Sequence, residues 1–276
     1  MSTAPTGSTT LATGPLVLIG ILAGLLGGMF GVGGGLLIVP GLVFFGFQQR
    51  LAHGTSLAAT LLIAIGSFAS YLFNDNIDWP MSPALAAGGI IGALLGTKLL
   101  HSLHNRVLAY GFAGVLLITA IRLFFDTDAN GRAELTMAAI AGLFAIGVVT
   151  GVVAGLFGVG GGIVMVPAMV VLFGVPPAIA KGTSVTVILP TALSGTVNNH
   201  RRGNLDHRAA LVVGGCGLVT GVAGGAIADV MSPTLSNVLF GTLLVVVAAR
   251  QIRSATTRSP TESAPPAQVY SEGSTA

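Results

Sequence analysis

The chain is short of charge, with 12 Lys and Arg and 9 Asp and Glu among 276 residues, or 8%, against roughly 25% in an ordinary soluble domain. Together with a mean hydropathy of +0.89, this excludes a water-soluble fold, which could not cover its surface. Cys216 is the only cysteine, which excludes an intrachain disulfide, and no Cys or His grouping has the spacing of a zinc or iron–sulfur site. No metal and no cofactor is expected. Neither a catalytic triad, an HExxH pattern nor a pair of carboxylates within an apolar run is present, so there are no catalytic residues to name and an enzyme is not expected. Met1 to Thr13 carry no Lys or Arg, so the basic start of a cleaved signal peptide is missing and the first apolar segment is expected to persist.

Apolar length is what the chain has. Residues 1–49, 51–74, 79–97, 107–121, 135–180, 182–200, 209–228 and 230–249 contain no Asp, Glu, Lys or Arg, and a helix needs about 20 apolar residues to cross the hydrocarbon core. A β-barrel requires short segments of alternating polarity, whereas these runs are continuously apolar. The expected fold class is an all-α polytopic membrane protein. The net charge of +3 sits on basic residues at the ends of apolar runs, where cytoplasmic anchoring accounts for them. Nucleic acid is therefore not an expected partner, and the lipid bilayer is.

The chain repeats itself. Gly28–Pro40 reads GMFGVGGGLLIVP and Gly155–Pro167 reads GLFGVGGGIVMVP, nine of thirteen positions being identical at an offset of 127. At an offset of 128, His53-Gly54-Thr55-Ser56 matches Lys181-Gly182-Thr183-Ser184, Asn76-Ile77-Asp78 matches Asn204-Leu205-Asp206, and Arg122 matches Arg250. This divides the chain into an N-terminal tail (1–13), a first membrane repeat (14–125), a connecting loop (126–134), a second repeat (135–253) and a Ser-, Thr- and Pro-rich tail (254–276) too poor in apolar residues to fold. Each repeat has one long Gly-interrupted segment, about 14–46 or 135–174, followed by three spans near 54–73, 83–100 and 107–125, or 183–199, 209–228 and 234–250. That makes eight hydrophobic segments.

Charge decides how the halves lie. Arg50, Lys98 and Arg106 mark one side of the first half, and Asp75, Asp78, Asp126, Asp128 and Glu134 the other. In the second half the signs swap: Arg201, Arg202 and Arg208 stand where the first has Asp75 and Asp78, and Asp229 where it has Lys98 and Arg106. If each Gly segment enters and returns, every strongly biased loop agrees with the positive-inside rule and the halves form an inverted repeat. Two short crossings and a re-entrant pair of half-helices satisfy this parity equally. Lys181 alone falls on the wrong side.

Three consecutive glycines should break a helix, and broken backbone at membrane depth is tolerated where it lines a cavity. Gly33, Gly34 and Gly35, with Gly160, Gly161 and Gly162, are therefore candidate ligand-lining residues, because helix N-termini facing such a gap favour an anion. Gly24, Gly28, Gly151 and Gly155 are read as helix-packing residues. Thr55, Ser56, Thr183 and Ser184 open the following spans, where a hydroxyl caps the helix or binds an oxyanion. Lys181 offers a cation at the repeat position of His53, which is a candidate proton-coupling group. His101 and His104 read as interfacial.

The paired GxFGVGGG…VP segments, each followed by (H/K)GTS, resemble the TauE/SafE sulfite exporter family, also called the 4-toluene sulfonate uptake permease family, over about residues 14–253. The resemblance implies a multi-pass protein of the cytoplasmic (cell) membrane, moving small anions such as sulfite or an organosulfonate by secondary transport. The expected function is alternating-access transport of such an anion between the two Gly breaks. The alternatives are a selective anion pore and a non-transporting accessory protein. Exact substrate, direction, coupling ion and any homo-oligomeric assembly stay open at this point.

Overall fold

The computed structural model describes residues 12–100, 105–124 and 135–257. The described residues form ten α-helices and no strand. The first five are α1 (Thr13–Phe30), α2 (Gly35–Phe44), α3 (Gln49–Phe73), α4 (Ser82–Leu100) and α5 (Asn105–Phe124). The second five are α6 (Met137–Phe157), α7 (Gly162–Phe173), α8 (Pro177–Arg201), α9 (His207–Val230) and α10 (Pro233–Thr257). Five helices, α1, α3, α4, α6 and α9, are long and apolar enough to cross a membrane, and shorter apolar stretches lie in α2, α7 and α10. Large apolar side chains such as Leu18, Phe73, Leu172, Leu211, Val219 and Val246 are turned outward. Such a surface suits hydrocarbon rather than water, and the chain is a multi-pass helical membrane protein.

The eight segments read from hydropathy become ten helices because each Gly-interrupted segment is a helical hairpin. A Cβ placed on Gly34 would lie 2.6 Å from the Ala23 carbonyl oxygen, and one on Gly41 would lie 3.1 Å from Ile19 Cδ1, so α2 returns along α1. In the second half Gly161 lies against Thr150, and the Phe173 ring against Gly142. At 1.5 Å per residue α2 is about 15 Å long, half of the roughly 30 Å core. It is a short return arm, and α7, with 12 residues, is the same in the other half.

Small residues bring the hairpins against the opposite half. Along α1 and α9, Gly20 meets Val213, Gly24 meets Gly217 and Gly28 meets Gly221. Along α4 and α6, Gly89 meets Gly151 and Ala93 meets Gly155. Both are small-residue seams, and each joins the first helix of one half to the fourth of the other. Gly24, Gly28, Gly151 and Gly155 are thus packing residues. Between the seams α3 and α8 run antiparallel: Gly54 lies beside Asn199, Leu57 beside Gly195, and Tyr71 beside Gly182. Phe30, Val32, Leu57, Tyr71, Val159, Ile163 and Ile188 pack in the core they share.

Two boundaries differ from the sequence reading. α3 begins at Gln49 and α8 at Pro177, so Thr55, Ser56, Thr183 and Ser184 lie in the second turn rather than at the helix start. They cap nothing in their own helix. α10 runs on to Thr257. His101, His104, the loop residues Asp126, Asp128, Arg132 and Glu134, and the chain after 257 lie outside the described residues.

Candidate functional site

Both breaks are built from the same backbone sequence. Gly31, Gly33 and Gly34 have φ of 70°, 76° and 82°, and Gly158, Gly160 and Gly161 have φ of 68°, 84° and 91°. This left-handed region is open to glycine at little cost and to other residues only under strain. Gly31 ends α1 by donating its N–H to the carbonyls of Gly27 and Gly28, and Gly34 starts α2. The FGVGGG pattern is therefore a stop, a reversal and a restart.

The two breaks face each other. A Cβ on Gly35 would lie 2.5 Å from the Gly158 carbonyl oxygen, and one on Gly162 would lie 2.4 Å from that of Gly31. The first residue of each short helix thus abuts the break of the other half. The first N–H groups of a helix have no partner inside it, and the positive end of its dipole is there. Two such ends converge at mid-length of α3 and α8, where Gly33 and Gly160 both rest on Thr60 and Ile188.

Hydroxyls tie the breaks across the halves. Ser56 Oγ donates to the Gly158 carbonyl (2.7 Å), and Ser184 Oγ to the Gly31 carbonyl (3.0 Å). Thr55 Oγ1 accepts from the Asp206 N–H (3.0 Å), and Thr183 Oγ1 from the Asp78 N–H (2.8 Å). All four are fully buried. The four hydroxyls expected at one site form two pairs, Thr55 with Ser56 and Thr183 with Ser184, towards opposite ends of the antiparallel α3 and α8, and each hydroxyl already serves the backbone of the opposite half.

His53 and Lys181 hold equivalent places: the Cβ of Gly158 would meet the His53 backbone and that of Gly31 the Lys181 backbone. Their side chains diverge. His53 Nδ1 lies 2.7 Å from the Phe157 carbonyl; a carbonyl only accepts, so Nδ1 carries the proton, and Nε2 is buried without a partner among the described residues. Lys181 Nζ donates to Ser236 Oγ in α10 at 2.6 Å. Lys181 is 4% exposed, an interior residue rather than a loop charge, which removes its conflict with the positive-inside pattern.

Sequence reasoning missed Thr60, Tyr71 and Ser236. Tyr71 Oη donates to the Gly28 carbonyl (2.7 Å). Thr60 Oγ1 is enclosed and unpartnered. The available signal was a hydroxyl in an apolar run whose repeat equivalent is Ile188. A shallow apolar crevice, with room for little more than a water molecule, runs beside the first hairpin between Ala23, Phe30, Val32, Leu36 and Phe240; of the expected binding residues, only Gly34 lines it.

Comparison with known proteins bears on this arrangement. A family model described as sulfite exporter TauE/SafE matches residues 16–173 and again 143–273. The chain is similar to the probable membrane transporter protein YunE of Bacillus subtilis, with 29% identity over 224 residues, covering 72% of this chain and 82% of that one. A probable membrane transporter protein of Xylella fastidiosa (strain Temecula1) is 26% identical over 242 residues, covering 84% and 90%. MJ0441 of Methanocaldococcus jannaschii, also named a probable membrane transporter protein, is 28% identical over 189 residues, covering 66% and 70%.

Proposed function

The chain belongs to the sulfite exporter TauE/SafE family of membrane proteins, and on that footing we propose that it is a secondary carrier in the cell membrane. Its substrate in this reading is a small oxyanion, sulfite or an organosulfonate, moved by alternating access. The observation that carries the proposal is the meeting of the α2 and α7 N-terminal ends at mid-length of α3 and α8. Paired interrupted helices between two repeats are how many carriers hold a substrate, and N–H groups at helix ends suit an anion.

The proposal includes an inverted repeat. Matched contacts at the repeat offset support it: Gly54 approaches the Asn204 carbonyl as Gly182 approaches that of Asn76. By the positive-inside rule, the side with Arg50, Lys98, Arg201, Arg202 and Arg208 is cytoplasmic, and that with Asp75, Asp78 and Asp229 is outside. Gly34, Gly35, Gly160, Gly161 and Gly162 then supply backbone N–H groups to the anion, while Gly33, whose N–H donates to the Gly27 carbonyl at 3.3 Å, shapes the break; Lys181 supplies positive charge, and His53 is the proton-coupling group.

A serine hydroxyl has one proton to donate. Ser56 and Ser184 therefore cannot serve the opposite break and an oxyanion at once. Binding that draws these donors to the anion releases each break from the helix of the opposite half that holds it, which gives the substrate a differential interaction with two states, as a carrier requires. Thr55 and Thr183 hold the neighbouring loops meanwhile.

The test is counterflow of labelled sulfite into proteoliposomes, with sulfate, taurine, sulfoacetate and thiosulfate as competitors. The expected result is saturable accumulation above that of empty vesicles. Flux without saturation would replace the carrier by a pore, and no flux of any of these anions through folded protein would overturn the proposal.

A further inference from the structure

Thr60 is the point on which both breaks converge. It stands midway along α3 and is fully enclosed. A Cβ on Gly33 would lie 2.8 Å from its Cγ2, and so would one on Gly160. Ile188, its repeat equivalent in α8, closes the other side at 3.4 Å and 3.3 Å. The backbone around this point is matched, but its chemistry is not: Thr60 turns its Cγ2 methyl to both glycines and carries a hydroxyl on the same Cβ, whereas Ile188 carries hydrocarbon alone.

A hydroxyl inside a helix commonly returns to the carbonyl four residues back. Ser67, Thr186 and Thr191 do so at 3.0, 2.9 and 2.8 Å. Thr60 Oγ1 makes no hydrogen bond among the described residues, although an unpaired buried hydroxyl is costly. Isoleucine at the equivalent position of the other repeat means that the local fold does not call for a hydroxyl there. The packing asks for a β-branched shape, and the oxygen answers to something else.

We infer that Thr60 is a binding residue for the transported anion, a χ1 rotation that exchanges Cγ2 for Oγ1 setting its O–H where the breaks meet to donate to one oxyanion oxygen, with Ile188 as the apolar wall opposite. The inference rests on the carrier reading above. An oxyanion offers only acceptors, so the hydroxyl acts as donor. One donor side facing one hydrocarbon side favours an anion with a carbon substituent, R–SO₃⁻, over one bearing oxygens all round.

The test combines anion-dependent thermal stabilisation of the purified full chain with counterflow, using sulfite, methanesulfonate and sulfate on the same preparations. Thr60→Val keeps the shape and loses the hydroxyl; Thr60→Ser keeps the hydroxyl; Ile188→Thr adds a hydroxyl to the other side. Loss of a hydrogen bond to a charged group predicts about tenfold or more weaker binding and a correspondingly higher KM in Thr60→Val. Recovery is expected in Thr60→Ser, and a shift of preference from methanesulfonate towards sulfate in Ile188→Thr. Unchanged affinity and KM in Thr60→Val would overturn the inference while leaving the carrier intact. Stabilisation that depends on Thr60 without any counterflow would keep Thr60 and remove the carrier. Wild-type protein that neither binds nor transports any of the three would overturn both. Should Thr60→Val fail to fold, a preference unmoved by Ile188→Thr and an affinity unmoved by Thr60→Ala would together count against it.

Discussion

The hydroxyl of Ser56 donates to the carbonyl of Gly158 at 2.7 Å, across 102 positions of sequence. Ser184 makes the equivalent bond to Gly31 at 3.0 Å. Both carbonyls belong to left-handed glycines that end a helix, so a carbonyl freed by the chain reversal is satisfied by the other half. Each bond works as a latch between one break and a helix of the opposite half, and neither half closes its own reversal alone.

Removing one hydroxyl leaves a buried carbonyl unpaired. Ser56→Ala and Ser184→Ala are each expected to destabilise the purified protein by about 1–3 kcal/mol. Since the two bonds share no partner and stand about 20 Å apart along the paired α3 and α8, the double variant should be close to additive. Denaturant midpoints of the two single variants and the double variant in detergent check this. A clear departure from additivity would mean that the two reversals are coupled through the breaks.

Close approach makes a second, sharper expectation. A Cβ on Gly54 would sit 1.8 Å from the Asn204 carbonyl oxygen, and one on Gly182 would sit 1.9 Å from that of Asn76. Backbone must move to admit alanine at either place, so Gly54→Ala and Gly182→Ala should each cost several kcal/mol, on the order of the larger overpacking penalties. Gly215 in α9 meets nothing within 4 Å, and Gly215→Ala should be neutral or stabilising by up to about 1 kcal/mol through helix propensity. Expression level and thermal unfolding of the three variants give the comparison; equal tolerance at 54 and 215 would contradict the packing.

The repeat offset and the FGVGGG pattern were sufficient to find the breaks, because three left-handed positions in six residues leave little but glycine. The two seams were legible for a similar reason, being glycines four apart. Parity of charge could not separate a short return arm from a full crossing; what favours the arm is the 10-residue length of α2, about 15 Å against a core of about 30 Å, which is readable only once the break is placed. The hydroxyls were found as residues, but neither reading of them, as caps or as oxyanion ligands, named their bonds to the opposite half, since their partners lie 102 to 153 residues away and hydropathy placed the helix starts too late. Thr60 offered only a hydroxyl in an apolar run where the other repeat has Ile188. Its meaning comes from two glycines of different repeats resting on one side chain.

Sidedness is open to direct measurement. The loop 74–81 touches α8 at Gly182, and the loop 202–206 touches α3 at Gly54, at opposite ends of a helix about 38 Å long at 1.5 Å per residue. In a Cys216→Ser background, Trp79→Cys should react with an impermeant maleimide in intact cells. Arg202→Cys should react only after permeabilisation. Trp79 and Arg202 are both exposed. Labelling of both from one side would overturn the inverted arrangement and with it the paired site.

Lys181 is where electrostatics and latch meet. Its ammonium is buried, and its hydrogen bond goes to the neutral Ser236 hydroxyl at 2.6 Å. A buried cation gains from a counter-anion, and an oxyanion at the adjoining break supplies one. Lys181→Met should therefore raise the KM for sulfite counterflow by about tenfold or more, the scale of a lost charge-assisted hydrogen bond, while Ser236→Ala, which releases the ammonium towards the break, should leave it unchanged or lower. Concentration dependence of counterflow in the two variants separates these directions. An unaltered KM in Lys181→Met would reduce Lys181 to a packing residue held by α10, and the anion would then depend on backbone N–H groups and hydroxyls alone.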